Sequence, residues 1–330
     1  MTFNFSAKSV LTTSIIVVFL FYILGVFWSF EPDTFDVRSE AINDAKVANV
    51  KPVVGYTTTT TLIRVAEKIL DKPGGYLSND ITPPSVFLDN IPAWEFGALE
   101  MVRDMSLVMR QSFSRSQSQS LENKHLKNAQ PKFNIDAGNW AIPSAEGEYR
   151  SAIADLYNYR QDLADPLVQG AQFYARADNL RDWLREIEKR LGSYSQRLSA
   201  SVGRNQLNTD LAGERNAVQS TISASAVIVK TSWWKIDDVF YESRGASWAL
   251  LHMLQAIEVD FADVLENKNA AVSVSQIIRE LEATQEAVWS PMILNGSGFG
   301  IGANHSLVMA NYISRANAAL IDLRELLSQG

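Results

Sequence analysis

The sequence predicts an all-α protein, in which a single N-terminal transmembrane helix is followed by a soluble helical bundle with long irregular loops. Three observations carry this. Ser9–Phe30 runs for 22 residues without a charged side chain. From Thr57 onward, apolar residues recur at spacings of three and four. Strand-like alternation is scarce, with Val53-Val54 and Phe133–Ile142 as its only faint candidates.

The uncharged run comes first. At about 1.5 Å per helical residue it reaches about 33 Å, enough to cross a hydrocarbon core of about 30 Å. A cleaved secretory signal would have a shorter apolar stretch and a small-residue site after it. Here bulky Trp28 and Phe30 stand at the exit, followed by Glu31, Pro32 and Asp33. Trp28 and Tyr22 also suit a membrane–water boundary. Lys8 is the only basic side chain before the run, and Arg38 faces Glu31, Asp33, Asp36 and Glu40 after it. This asymmetry expects residues 1–8 as a cytoplasmic tail, 9–30 as anchor and the large domain outside, in the periplasm of a bacterium. Glu31–Gly55, polar and Pro-containing, reads as a tether, with the periplasmic helical domain at 56–330.

Within that domain, Thr57–Thr61 offers caps to a helix over Leu62–Leu70, stopped by Asp71-Lys72-Pro73-Gly74-Gly75. Ala93–Phe113 forms the next helix, ending in the polar, low-complexity Ser112–Ser120. Asp165 as cap and Pro166 as first helical residue open a seam of Phe173, Ala177, Leu180, Leu184, Ile187, Leu191, Tyr194 and Leu198. A second seam runs from Trp233 through Phe240, Ser243, Ser247, Leu250, Leu254 and Ile257 to Val264. Its small centre beside Gly245 marks either a close helix crossing or a break. A shorter helix covers Val274–Val288, and Met309, Ile313, Ala316, Leu320, Leu323 and Leu327 make the last seam. Several such helices in one chain favour an internal antiparallel bundle over self-association as a coiled coil. A homo-oligomer stays open as a further expectation.

The composition excludes several chemistries. There is no Cys in 330 residues, which removes disulfides, thiolate catalysis and Cys-based metal sites. The net charge of −7 is spread along the chain with no basic stripe, so no nucleic-acid partner is expected. His125, His252 and His305 are the only histidines, and none has metal-ligand spacing; neither a metal nor another cofactor is expected. Gly298–Ala303 matches a dinucleotide fingerprint in letters but lacks the strand and βαβ context. It reads as a loop leading to the last helix, with Asn304 as a cap. His305 near Ser297 or Ser306 lacks the orienting acid and nucleophile elbow of a serine hydrolase.

Three loops break the helical pattern, Asp71–Pro92, Pro131–Gly147 and Trp289–Asn304. Loops of this length either plug a bundle end or serve binding. If they converge, Tyr76, Asn79, Asp80, Trp94, Trp140 and Phe299 form the contact surface, with rings as anchors and polar groups giving direction. The reading favours binding over catalysis: a membrane-anchored periplasmic binding or scaffold protein, with other envelope proteins as partners and the lipid bilayer around residues 9–30. The alternatives are an envelope hydrolase acting on peptidoglycan or a lipid-linked substrate, and a carrier of an apolar ligand. Paired carboxylates for the hydrolase would come from groups such as Glu95, Glu100, Asp136 and Glu146.

At DKPGGYLSND (Asp71–Asp80), WEFG (Trp94–Gly97), FSRSQSQS (Phe113–Ser120), FYARADNLRDWL (Phe173–Leu184) and LGSYSQRLSASVG (Leu191–Gly203), the chain resembles a known family. This is an uncharacterised proteobacterial family of single-pass inner-membrane proteins, classed only as a domain of unknown function. The resemblance covers nearly the whole chain. It implies a Gram-negative source and an inner-membrane location, and it brings no catalytic residues.

Overall fold

The computed structural model describes residues 7–116, 121–207, 226–290, 292–296 and 303–329. Among these, helix α1 (Ala7–Trp28) is the one element long and apolar enough to cross a membrane, and its side chains are almost wholly exposed. The helices that follow build one main hydrophobic core, with a small second cluster of Ala41, Ala45 and Tyr56 between the helix Val37–Val47 and the start of the helix Tyr56–Asp71.

At the centre lies α8 (Ile236–Asp260), which packs on α3 (Tyr56–Asp71), α4 (Asn90–Val108), α7 (Ala177–Ser199), α10 (Ala271–Ala283) and α11 (His305–Ser328). Its small centre is a crossing. A Cβ on Gly245 would overlap the Trp94 carbonyl, and one on Gly97 would overlap that of Glu242, so α4 and α8 touch backbone to backbone. The Trp94 and Trp248 rings flank this contact at 5.1 Å. The helical break comes later, at Phe261, before the short α9 (Ala262–Asn267).

The seams expected in α7 and α11 face each other. Leu180, Leu184, Ile187, Leu191, Tyr194 and Leu198 are buried, as are Met309, Ile313, Ala316, Leu320, Leu323 and Leu327. Asn304 caps α11 as expected, its side chain accepting from the Leu307 N–H at 2.9 Å. A second layer pairs α5 (Lys124–Phe133) with α6 (Ala145–Ala164), and α6 also packs on α3. Among the described residues the strands are two four-residue segments, β1 (Arg204–Leu207) and β2 (Ala226–Val229), paired antiparallel. Neither falls on Val53-Val54 or Phe133–Ile142.

Other expectations need correction. Asp165 closes α6 instead of opening a helix, and α7 begins at Ala177. The residues between turn at 166–170 and then run without helix over 171–176, with the Tyr174 N–H donating to the Phe113 carbonyl at 2.6 Å. Thr57–Thr61 lies inside α3 and is buried. The cap comes across space: Asp260 accepts from the Thr58 N–H at 2.6 Å and its hydroxyl at 2.7 Å, satisfying the first turn.

Glu31–Gly55, expected as a tether, is part of the domain. Asp36 caps α2 (Val37–Val47) by accepting from the Ser39 N–H at 2.9 Å. Val37, Ala41 and Ala45 recur every fourth residue and are buried. That stripe is too narrow and small-sided to stand out against polar neighbours. Asp44, at the edge of that stripe, takes Arg64 and Arg160, each at 2.5 Å.

Candidate binding site at the exit of the apolar helix

The last turn of α1 is built into the domain. Gly25, its only buried residue, lies 3.6 Å from Leu88 and 3.8 Å from Pro84, measured from where its Cβ would sit. Trp28 covers Gly74, where a Cβ would come within 2.6 Å of the indole and where φ is +86°. Only glycine combines that backbone with that approach. The Ser29 hydroxyl turns back to the Gly25 carbonyl at 2.8 Å and closes the helix end.

Two contacts then fix the chain leaving the helix. Glu31 pairs with Arg244 of α8 at 2.7 Å. The same guanidinium donates to the carbonyls of Thr284 and Glu286 at 2.8 Å and Gln285 at 3.0 Å. One arginine thus joins the helix exit, α8 and the end of α10. Burial pushes the Glu31 carboxyl up, against the pull of Arg244. Four residues on, the Phe35 N–H donates to His252 Nε2 at 3.0 Å, and the two rings stack at 4.0 Å. His252 Nδ1 in turn lies 2.7 Å from the Trp248 carbonyl, so Nδ1 carries the proton and the imidazole is neutral. Burial drives its pKa down to about 4.

Between this segment and α8 lies a groove of about 530 Å³, lined among others by Phe30, Tyr241, Arg244, Trp248 and Trp289. Trp289 is 96% exposed. A smaller cavity of about 200 Å³ continues from Arg244 and Trp289 to His305 and Tyr312. A larger cleft, about 660 Å³, lies between α4 and α7. Its charges are already paired, Arg190 with Asp104 at 2.7 Å, which joins α7 to α4, and Arg197 with Glu242 at 2.5 Å, which joins α7 to α8.

Of the six residues expected to form a contact surface, three are interior. Trp94 is fully buried in the α4–α8 crossing. It shares the buried face of α4 with Ala98, Met101 and Met105. Tyr76 is buried, reaching the Ala137 carbonyl at 3.2 Å and packing edge-on against Tyr149. Asn79 is buried and donates to the Asn139 carbonyl at 3.3 Å. These bonds do bring the first two loops together. Asp80 and Trp140 are exposed, and Phe299 lies outside the described residues, as do Ser297 and most of the glycine run. The described part of the third loop goes elsewhere, with Asn295 donating to the Ser201 carbonyl at 2.7 Å.

The first loop is organised by a buried ion pair that the sequence reading passed over. Lys72 Nζ lies 2.6 Å from Glu95, both side chains fully buried. Glu95 also accepts from the backbone of Leu77 at 2.9 Å and Ser78 at 2.8 Å, and from the Ser78 hydroxyl at 2.5 Å. Burial raises the Glu95 carboxyl while Lys72 and these donors lower it. Glu31, Arg244 and Trp289 were missed as site residues too. The available signals were an acidic residue directly after an apolar span and an arginine within the buried stripe of α8. Among the described residues, no three His, Asp or Glu side chains are arranged to hold a metal ion.

A family model matches residues 3–330. The chain belongs to DUF2333, described as uncharacterized proteins conserved in bacteria. No curated protein and no solved structure matches it. Membership in DUF2333 assigns no residue a role, so the site rests on its geometry.

Proposed function

We propose that this chain is a membrane-anchored binding or scaffold protein of the bacterial cell envelope. In this reading residues 9–30 cross the inner membrane, the tail 1–8 is cytoplasmic, and the domain from Glu31 onward faces the periplasm. The observation that carries it is the way the apolar helix ends. Gly25 and Trp28 are packed on Pro84, Leu88 and Gly74. Cleavage of the helix as a signal would strip the cover from these residues, whereas an anchor keeps it.

Binding is favoured over hydrolysis by the state of the acids. Glu31, Glu95, Asp104 and Asp260 all have carboxyls raised by burial. Each is committed to a structural partner, respectively Arg244, Lys72, Arg190 and Thr58. The groove beside the helix exit instead offers exposed Trp289, an aromatic wall and a paired charge, the makings of an anchoring contact. Its partner is another envelope protein, or a second copy of this chain, arriving at the membrane surface.

The test is in-cell crosslinking of the tagged full-length protein, followed by affinity capture and mass spectrometry of proteins and lipids. A recurrent envelope protein that is lost with Trp289→Ala supports the groove. Loss with Trp140→Ala instead would move the contact to the first two loops. A captured glycan or lipid fragment, with no protein, would overturn the scaffold reading in favour of the hydrolase or the carrier.

A further inference from the structure

We propose that the Ile81–Leu88 turn is a second membrane contact, seated in the interfacial layer of the bilayer beside the spanning helix. The inference rests on the reading of α1 as a span. A short 3₁₀ turn at Ser85–Phe87 is tied down by the Ser85 hydroxyl on the Thr82 carbonyl at 2.6 Å, and by the Phe87 and Leu88 N–H groups on the Pro84 and Ser85 carbonyls. With its backbone bonds closed internally, the turn holds its apolar side chains outward. Ile81 is 59% exposed, Val86 51% and Phe87 78%.

Its position explains why such a tip is left bare. The turn touches α1 through Pro84 and Leu88 at Gly25. Gly25 lies about 7 Å along the helix before the end of the uncharged run at Phe30. Amphipathic segments that lie on membranes sink their apolar face about 5–10 Å into the boundary between headgroups and acyl chains. If the run fills the hydrocarbon core, a turn packed at Gly25 reaches this depth. Trp28, against Gly74 in the same loop, sits where interfacial indoles collect. Exposed Asp80 and Asp89 bracket the apolar stretch and limit the contact to its tip. A solvent-facing tip would instead leave Val86 and Phe87 in water directly against the bilayer surface.

The absence of native cysteine makes the test clean. Single variants Val86→Cys and Phe87→Cys in the full-length protein, carrying a nitroxide, are reconstituted in phosphatidylethanolamine–phosphatidylglycerol vesicles. Collision with oxygen, which concentrates in lipid, is compared with collision with a water-soluble nickel chelate. Phe19→Cys within the span is the lipid reference. Leu167→Cys is the water reference: it is 88% exposed and lies past the far end of α6, about 30 Å from the first two loops. The expected result is an oxygen-to-nickel ratio at 86 and 87 several-fold above that at 167 and approaching that at 19. A ratio at 87 equal to that at 167 overturns the inference while leaving the span intact. Shielding from both reagents also overturns it, because protein, such as a second copy, then covers the turn. A water-like ratio at 19 would overturn the span itself.

Discussion

Protonation of His252 should loosen the link between the apolar helix and the domain. The imidazole is fully buried, stacks on Phe35 and accepts the Phe35 N–H, so the folded protein holds it neutral with a pKa of about 4, against 6.5 for a free imidazole. Lys68, with its ammonium 5.5 Å from the Phe35 ring, adds to the cost of a second positive charge. The unfolded chain therefore binds a proton before the folded one does. Stability is unaffected by this group above about pH 6.5 and falls as the pH drops toward 4. A shift of this size removes about 2 kcal/mol at about pH 5 and about 3 kcal/mol at about pH 4. The assay is urea unfolding of the detergent-solubilised full-length protein, followed by circular dichroism. His252→Gln serves as reference, since its amide stays neutral and can accept the same N–H. The carboxylates titrate in both proteins and cancel in the difference. Wild-type stability should drop relative to the variant by the amounts above. A difference that stays flat between about pH 7 and pH 5 would refute the buried neutral imidazole.

Two other substitutions probe the frame that carries the site. Gly245→Ala puts a methyl into the Trp94 carbonyl at the α4–α8 crossing, where backbone must move; a loss of about 3 kcal/mol or more is expected in the same unfolding assay. A loss under about 0.5 kcal/mol would mean that the helices do not touch there. Lys72→Met leaves Glu95 buried without its cation and should cost about 3 kcal/mol near neutral pH. Because that carboxyl is already raised by burial, acidification neutralises it and the deficit should narrow. A deficit that widens on acidification would show that Glu95 is not the group left charged.

Much of the helical frame was legible because its seams are regular. The last seam was read residue for residue, and all six of its members are buried in α11. The missed helices lack that regularity for physical reasons. The buried stripe of α2 consists of Val37, Ala41 and Ala45, whose small apolar surface is outweighed by its charged neighbours. That of α6 includes Tyr149, Tyr159 and Arg160, amphipathic side chains that bury a stem and spend a polar tip on a bond. Tyr159 reaches the Gln172 carbonyl at 2.7 Å, and Arg160 reaches Asp44 while lying over the Tyr56 and Tyr157 rings. The site was harder to read, because its parts are distant in sequence. Glu31 and Arg244 are separated by 213 positions, and Phe35 and His252 by 217. Nothing local to either partner announces the other. Trp94 shows the reverse failure: expected at a loop contact, it belongs to the face of α4 that carries Ala98, Met101 and Met105 into the core.

The attachment of the apolar helix bears directly on how the groove would bind. A flexible tether would let the domain rotate and rise above the membrane, and a partner would have to suppress that freedom. Ordering backbone costs about 1–2 kcal/mol per residue, so even a partial loss of motion over Glu31–Gly55 would weaken binding appreciably. Here Glu31 is fixed by Arg244, Phe35 by His252, and α2 by its packing against α3 and α8. The ordering has already occurred on folding. A partner confined to the same bilayer would then meet the groove at one height and in one orientation, which raises its effective concentration without a new contact. By this reasoning Glu31→Ala should act mainly on capture in cells. Arg244 loses its counter-ion but keeps three carbonyl acceptors, which limits the cost to the fold, while the helix exit loses its charged link to α8.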